Sequence, residues 1–164
     1  MDLQTIQHDK NSLPQETFFR LRNNLGTAMI AGEARPRPSA PADRPRATLA
    51  WGKAYLPAHF ANPASRMHEW LGAELDATRA SRGARINVIG PRGSAKSTVA
   101  TLCHVLHAAV EGWERYIWIV SDTKEQAETH LDNVKAELVD NRRLRTDYAH
   151  AVGHGRRWRA NSIE

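Results

Sequence analysis

Short apolar runs and amphipathic stretches alternate along the second half of the chain. Residues 86–89 and 115–120 are apolar runs bounded by turn residues, which is typical of buried strands. Residues 96–110 and 124–141 repeat apolar side chains at spacings of three and four, which predicts helices with one face against a sheet. This order predicts an α/β fold, a parallel sheet flanked by helices, in which the two runs are neighbouring or near-neighbouring parallel strands. Residues 158–163 begin a further strand.

The two predicted helices have defined ends and apolar faces. Gly112 ends the first helix. Ser121, Asp122 and Thr123 offer N-caps to the second, and Gln126 has the capping-box spacing from Thr123. We interpret Asp122, which follows a predicted strand, as the N-cap of this helix rather than as a catalytic carboxylate. The predicted stripes are Val99, Leu102, Cys103, Leu106, Ala109 and Val110 on the first helix, and Ala127, Leu131, Val134 and Leu138 on the second.

The first half of the chain divides into an arm, a linker and a further helix. Residues 15–34 carry an apolar stripe that predicts an N-terminal helical arm. Residues 35–45 contain four of the eight prolines, which is typical of an extended linker. We therefore predict a division into residues 1–47, the arm and linker, and residues 48–164, the globular part. A helix over residues 64–80 is predicted to place these side chains on one face: Met67, Trp70, Leu71 and Leu75.

Composition and charge favour an intracellular protein. The net charge is +5 and the sequence pI is about 9.8, which fits either a polyanionic partner or a solvated basic surface. Cys103 is the only cysteine, so no disulfide can form within the chain, as suits a reducing compartment. The start of the chain lacks the pattern of a signal peptide, and the longest apolar run, residues 116–120, is too short to cross a bilayer.

Residues 86–98 carry the most informative motif. Their sequence, INVIGPRGSAKST, matches the phosphate-binding pattern G-x-x-x-x-G-K-[ST] apart from Ala95 at the second glycine position. A glycine-rich turn between a strand and a helix presents backbone N–H groups to phosphate oxygens. Lys96 would reach the β- and γ-phosphates of ATP, and the Ser97 hydroxyl would ligate Mg²⁺. The predicted nucleotide-binding residues are Gly90, Pro91, Arg92, Gly93, Ser94, Ala95, Lys96, Ser97 and Thr98.

Three positions in this motif have alternative interpretations. The Ala95 methyl group either excludes a strongly positive φ or makes such a φ cost energy. Arg92 is either a second catalytic cation beside Lys96, acting on the γ-phosphoryl group, or a solvent-exposed loop arginine. Thr98 either contacts the ligand or closes the first helical turn. For the motif as a whole, the alternative is a chance lysine in a Gly/Ser-rich turn.

A basic segment follows the second predicted helix. Residues 141–159 contain six arginines and one carboxylate, with Trp158 among them, and this fits either contact with nucleic acid or a solvated basic face. His150 and His154 have i, i+4 spacing without further metal ligands nearby, so we interpret them as surface residues. On the helix over 96–110, Cys103 is interpreted as a core residue, and His104 and His107, which flank the apolar stripe, are interpreted as structural or solvated.

From about Trp51 to Glu164 the chain resembles the large terminase subunit of tailed bacteriophages and prophages, the ATPase that drives DNA packaging. The loop GPRGSAKST is similar to the variant phosphate loop of that family, which carries an arginine four positions before its lysine. YLPAHFANPASRMHEWL resembles the stretch before that loop. The segments after the loop that carry the resemblance are YIWIVSDTKEQAETHLDNVKAEL and NRRLRTDYAHAV.

The resemblance implies the ligands and partners of a packaging ATPase. It implies a P-loop NTPase-type sheet, with Lys96 and Ser97 at the phosphates and Mg²⁺, Arg92 as an arginine finger, and residues 55–60 as a weaker candidate for the adenine side. It implies double-stranded DNA, the phage portal and the small terminase subunit as partners, in the bacterial host cytoplasm. The Walker B strand and nuclease domain of the family have no counterpart in residues 1–164. This implies an incomplete sheet, and ATP hydrolysis in a longer parent rather than in these residues alone.

Two other functions fit the same residues. A helicase-like or recombinase-like P-loop NTPase would share the phosphate loop. A non-catalytic chain would bind nucleotide, or a packaging partner, without turnover, and a turnover assay distinguishes it from the two enzymes.

Overall fold

The computed structural model of the chain describes residues 19–22, 43–81 and 83–164. The elements in chain order are β1 (Phe19–Arg22), α1 (Thr48–Tyr55), α2 (Arg66–Ala77), α3 (Val105–Glu111), β2 (Tyr116–Ile119), α4 (Lys124–Asp140), α5 (Arg142–Asp147), β3 (Trp158–Arg159) and β4 (Ser162–Ile163). A 3₁₀-helix, Thr78–Ala80, extends α2, and a π-helix, Thr98–His104, runs into α3. No helix of the described residues has the length and apolar character needed to cross a membrane.

The two helices predicted after the loop form where the apolar spacing predicts them, whereas α1 and α5 were not predicted. Helical backbone begins at Lys96 and continues through the π-helix to the end of α3, while α4 ends before Asn141. Every side chain assigned to the two apolar stripes is buried, at most 7% exposed, which confirms both faces. On α2 the predicted face is confirmed at Leu71 but is wrong at Trp70, which is 47% exposed.

Capping groups set the ends of α3 and α4. The Thr123 hydroxyl accepts a hydrogen bond from the Gln126 N–H at 3.2 Å, so Thr123 is the N-cap of α4. The interpretation of Asp122 as the N-cap is therefore wrong by one residue, because the hydroxyl that reaches the first turn belongs to Thr123. Gly112 has φ +67° and donates its N–H to carbonyl groups of the last turn of α3, which confirms it as the helix end.

The four strands form one mixed sheet in the order β2-β1-β4-β3. β1 pairs antiparallel with β2, with Phe19 opposite Ile119 and Arg22 opposite Tyr116. β1 also pairs parallel with β4, and β3 and β4 form an antiparallel hairpin, so the strand predicted at residues 158–163 is present as two short ones. Helix α4 contacts β1 and β2. The chain thus combines helices with a small sheet, as predicted, but the described strands do not form a parallel P-loop sheet.

The strand predicted at residues 86–89 is wrong in this structure. The segment has no regular secondary structure, pairs with none of the four described strands, and leaves the Ile89 side chain 91% exposed. An apolar run forms a strand only where a neighbour accepts its backbone hydrogen bonds. The neighbour predicted for it, residues 117–120, coincides with β2 over 117–119, and β2 pairs with β1 instead.

The helical arm predicted over residues 15–34 is wrong at Phe19–Arg22, which forms β1. The FRLR sequence of β1 alternates apolar and charged residues with the period of a strand, and pairing with β2 overrides the helical spacing around it. The rest of that predicted helix lies outside the described residues. The division into residues 1–47 and 48–164 stays a prediction.

The aromatic core surrounds Trp51 of α1. Its ring stacks on His107 of α3, with ring centroids 4.6 Å apart, and lies 4.9 Å from the ring of Tyr55. The Trp51 N–H donates a hydrogen bond to the Tyr148 hydroxyl at 3.0 Å, and that hydroxyl donates to the Glu111 carboxylate at 2.6 Å. This core therefore fixes α1 against the helix that begins at Lys96.

Candidate phosphate-binding loop

Residues 90–97 form a tight, mostly exposed loop that runs into helical backbone at Lys96. The motif therefore has the helix that it requires on its C-terminal side, but not a strand on its N-terminal side. The loop lies beside the start of α2, because the His68 imidazole Nε2 is 2.9 Å from the Ser94 carbonyl oxygen.

The Lys96 side chain folds back across the loop. Its ammonium group donates hydrogen bonds to the carbonyl oxygens of Gly90 at 2.9 Å and Pro91 at 2.6 Å, and to the Ser94 hydroxyl at 3.1 Å. The Ser94 hydroxyl in turn donates to the Pro91 carbonyl at 2.8 Å. Three loop oxygens thus satisfy the three ammonium donors, and the positive charge lies within the loop.

The loop backbone presents a row of N–H groups. Gly93 has φ +77° and Ala95 has φ +53°, both in the left-handed region. Such turns arrange successive N–H groups around a concavity that suits anions. Among the described residues, no acceptor takes a hydrogen bond from the N–H groups of Gly93 and residues 95–97, whereas the turn at Arg92 and Gly93 directs the Ser94 N–H toward the Pro91 carbonyl. These donors stand at the start of a helix, where the helix dipole adds positive potential.

The backbone angle of Ala95 decides between the two alternatives for its methyl group. The loop keeps a positive φ at this position, so the methyl group costs energy rather than changing the backbone. The cost for an L-residue is about 1–2 kcal/mol. A residue holds such a conformation only where surrounding contacts enforce it. Here the Lys96 hydrogen bonds and the His68–Ser94 contact supply them.

The two glycines of the loop differ in what the backbone requires. Gly93 has a left-handed φ, whereas Gly90 does not. A Cβ atom at Gly90 would lie 3.5 Å from Lys96 Cδ, which is ordinary van der Waals contact. Of the two loop glycines, therefore, only Gly93 depends on the conformational freedom of glycine.

The remaining motif residues surround the helix start. Ser97 is exposed, Thr98 begins the π-helix, and Arg92 is exposed in the turn. This exposure fits both interpretations of Arg92. The described residues contain no group of three or more His, Cys, Asp or Glu side chains that could hold a metal ion. At the loop, the chain therefore offers Mg²⁺ the Ser97 hydroxyl.

The candidate ligands of the following helix belong to a buried network. His107 Nδ1 lies 3.3 Å from the Arg79 guanidinium, and Arg79 also pairs with Asp76 at 2.7 Å. Burial, and secondly the positive charge of Arg79, lowers the pKa of His107 to about 2 and lowers the pKa of His104 as well. Burial raises the pKa of the Cys103 thiol to about 12, which keeps it protonated. These groups are placed for structure rather than for ligand binding.

The basic segment lies partly on a helix that the sequence did not predict. Asn141 caps α5 by accepting hydrogen bonds from the N–H groups of Arg143 and Leu144 at 3.0 and 3.1 Å. Both histidines of the segment, His150 and His154, are exposed, as predicted. Its six arginines are also exposed: Arg142, Arg143, Arg145, Arg156, Arg157 and Arg159.

The weaker adenine candidate, residues 55–60, lies largely along a cleft that the loop does not line. Tyr55 is buried, and its hydroxyl donates to the Asp147 carboxylate at 2.7 Å. Residues 55–59 line a cleft of about 240 Å³ whose other wall is formed by Glu137 and residues 141–143. The lining of this cleft includes no residue of the loop.

His68 is the site residue that sequence reasoning missed. Its available signal was the spacing from Ser65, because a serine and a hydrogen-bonding side chain three residues later form a capping box. Comparison with known proteins gives no match: no protein family model, no curated protein and no solved structure matches the chain. The resemblance to terminases thus rests on the sequence segments alone.

Proposed function

We propose that residues 90–97 bind the phosphates of ATP with Mg²⁺, as the nucleotide-binding part of a terminase-like DNA-packaging ATPase. The proposal rests on one arrangement: the Lys96 ammonium lies inside a loop whose N–H groups over residues 95–97 have no acceptor among the described residues. A cation and successive N–H donors are the groups that phosphate-binding loops offer to a triphosphate.

Phosphate oxygens would replace the loop oxygens as partners of Lys96. The ammonium now bonds to neutral carbonyl and hydroxyl groups, and hydrogen bonds to a phosphate anion are stronger because both partners are charged. The N–H groups of residues 95–97 would donate to the same phosphates. Ser97 would contribute its hydroxyl to Mg²⁺, and Arg92 would reach the γ-phosphoryl group from the exposed turn.

The proposed function also gives residues 86–89 a role. In a complete P-loop ATPase domain these residues would form a strand of a parallel sheet, paired with strands that the described residues do not include. The 91% exposure of Ile89 supports this, since such an apolar side chain would be buried in a parallel sheet covered by helices on both faces.

The proposed partners are double-stranded DNA, the phage portal and the small terminase subunit, in the bacterial host cytoplasm. The net charge of +5 and the exposed arginines of residues 141–159 support contact with a polyanion. The portal, the small subunit and the location rest on the resemblance alone.

The site of binding is testable by amide NMR. ATP with Mg²⁺ should shift the amide signals of residues 93–97 most strongly, and inorganic pyrophosphate should shift the same signals because it carries the phosphates without the base. Adenosine alone should leave them in place. Shifts confined to the cleft at residues 55–59 would contradict phosphate binding at the loop.

Nucleotide binding without turnover is the second candidate function. It is favoured because the described residues include no group of acidic side chains placed to hold a metal. Phosphate release from a longer parent protein separates the two functions: there an ATPase would lose turnover in Arg92→Ala with little change in KM, since Arg92 would act on the transition state. A non-catalytic chain would bind ATP and release no phosphate in either protein.

A further inference from the structure

His68 connects the start of α2 to the middle of the phosphate-binding loop. Its Nδ1 atom lies 3.1 Å from the Ser65 N–H nitrogen, and its Nε2 atom lies 2.9 Å from the Ser94 carbonyl oxygen. The Ser65 hydroxyl in turn accepts from the His68 backbone N–H, which completes the capping box of α2. One imidazole therefore holds both a helix end and a loop carbonyl.

The two backbone partners determine the tautomer of His68. A backbone N–H can only donate and a carbonyl oxygen can only accept. Nδ1 therefore accepts from the Ser65 N–H, with the Ser65 hydroxyl also 3.0 Å from it, and Nε2 carries the proton that is donated to Ser94. The side chain acts as a fixed hydrogen-bond donor to the loop.

The hydrogen bond to Ser94 fixes the direction of the Ala95 N–H group. The Ser94 carbonyl and the Ala95 N–H belong to one trans peptide plane, in which they point in opposite directions. Because His68 draws the carbonyl toward α2, the Ala95 N–H points away from α2. Rotation of this peptide plane would reverse both groups, and it would also relieve the positive φ of Ala95. His68 opposes that rotation.

We propose that His68 is a positioning residue of the phosphate-binding loop, which holds the Ser94–Ala95 peptide so that the Ala95 N–H remains a phosphate donor. The inference rests on the proposed function, and it explains how the loop works with alanine at a position that usually carries glycine. With glycine at residue 95 the left-handed backbone carries no strain, so the loop would depend less on His68.

Affinity for inorganic pyrophosphate, measured by calorimetry, tests this role in wild type and its variants. His68→Ala should bind about threefold to tenfold more weakly than wild type, the effect of losing one hydrogen bond. His68→Gln should recover part of the affinity, since its amide N–H can still donate to Ser94. In the Ala95→Gly background, His68→Ala should have a smaller effect. His130→Ala is the matched control, because His130 lies on α4, outside both the loop and the candidate adenine side.

The outcomes separate this inference from the proposed function. If wild type binds pyrophosphate and His68→Ala binds equally well, His68 has no positioning role and the proposed function stands. An equal loss of affinity in the wild-type and Ala95→Gly backgrounds also overturns the role, because the hydrogen bond from His68 to Ser94 would then act independently of the strained Ala95 backbone. If wild type binds no pyrophosphate, the proposed function and the positioning role both fail.

Discussion

The Arg79 guanidinium lies 3.3 Å from Nδ1 of His107, where the 3₁₀ extension of α2 contacts α3. His107 is neutral in this position, because its Nδ1 faces a cation and its ring stacks on Trp51 at 4.6 Å. Protonation of His107 would place two positive charges together in a buried site, so the fold depends on the neutral imidazole.

Stability should therefore fall on acidification below about pH 6.5, the unfolded-state pKa of histidine. The folded-state pKa of His107 is lowered to about 2, and that of His104 is also lowered. Between the folded-state and unfolded-state pKa values, the unfolded chain therefore binds protons that the folded chain does not. From pH 7 to pH 5, His107 alone should remove about 2 kcal/mol. Urea unfolding at pH 7, 6 and 5 measures the loss of unfolding free energy. His107→Gln should make this free energy depend less on pH. Constant stability over this range would contradict a buried neutral His107.

Replacing Ala95 by glycine should stabilise the fold. The change removes the penalty of a left-handed φ, which outweighs the added freedom of glycine in the unfolded chain, for a net gain of about 1 kcal/mol. Thermal unfolding should show a rise of about 2–4 °C. Ala50→Gly, on the exposed side of α1, is the matched control and should destabilise by about 1 kcal/mol. A loss of stability in both variants would show that Ala95 carries no strain.

The hydroxyl of Tyr148 should contribute to stability separately from its ring. Tyr148→Phe removes the acceptor of the buried Trp51 N–H and a donor to Glu111, so it should destabilise by about 1–3 kcal/mol. A double-mutant cycle with Trp51→Phe isolates the contact, and we expect a coupling of at least about 0.5 kcal/mol from urea unfolding. Additive effects of the two substitutions would contradict the hydrogen bond.

The two helices that follow the loop could be predicted from the sequence because their signal is local. The stripe from Val99 to Val110 and that from Ala127 to Leu138 record the buried face directly, and Thr123 and Gly112 mark helix ends with their own chemistry. These features need no knowledge of the rest of the chain.

The sheet and part of the site depend on contacts between distant residues. Whether residues 86–89 form a strand depends on a neighbour, and β2 takes its neighbour from Phe19–Arg22, about a hundred residues away in the chain. The loop motif and Lys96 were visible as a pattern, whereas His68 acts on Ser94 across 26 residues. A capping box predicts a helix start, but it carries no information about the carbonyl that the same imidazole reaches.

Calorimetric titration with ATP and Mg²⁺ of wild type, Lys96→Ala and the surface control Lys53→Ala tests phosphate binding at the loop most directly. Wild type and Lys53→Ala should bind one nucleotide with equal affinity. Lys96→Ala should bind about tenfold to a hundredfold more weakly, since it loses a charge-assisted hydrogen bond to phosphate. Equal affinity in all three proteins would contradict the assignment of residues 90–97 as the phosphate site.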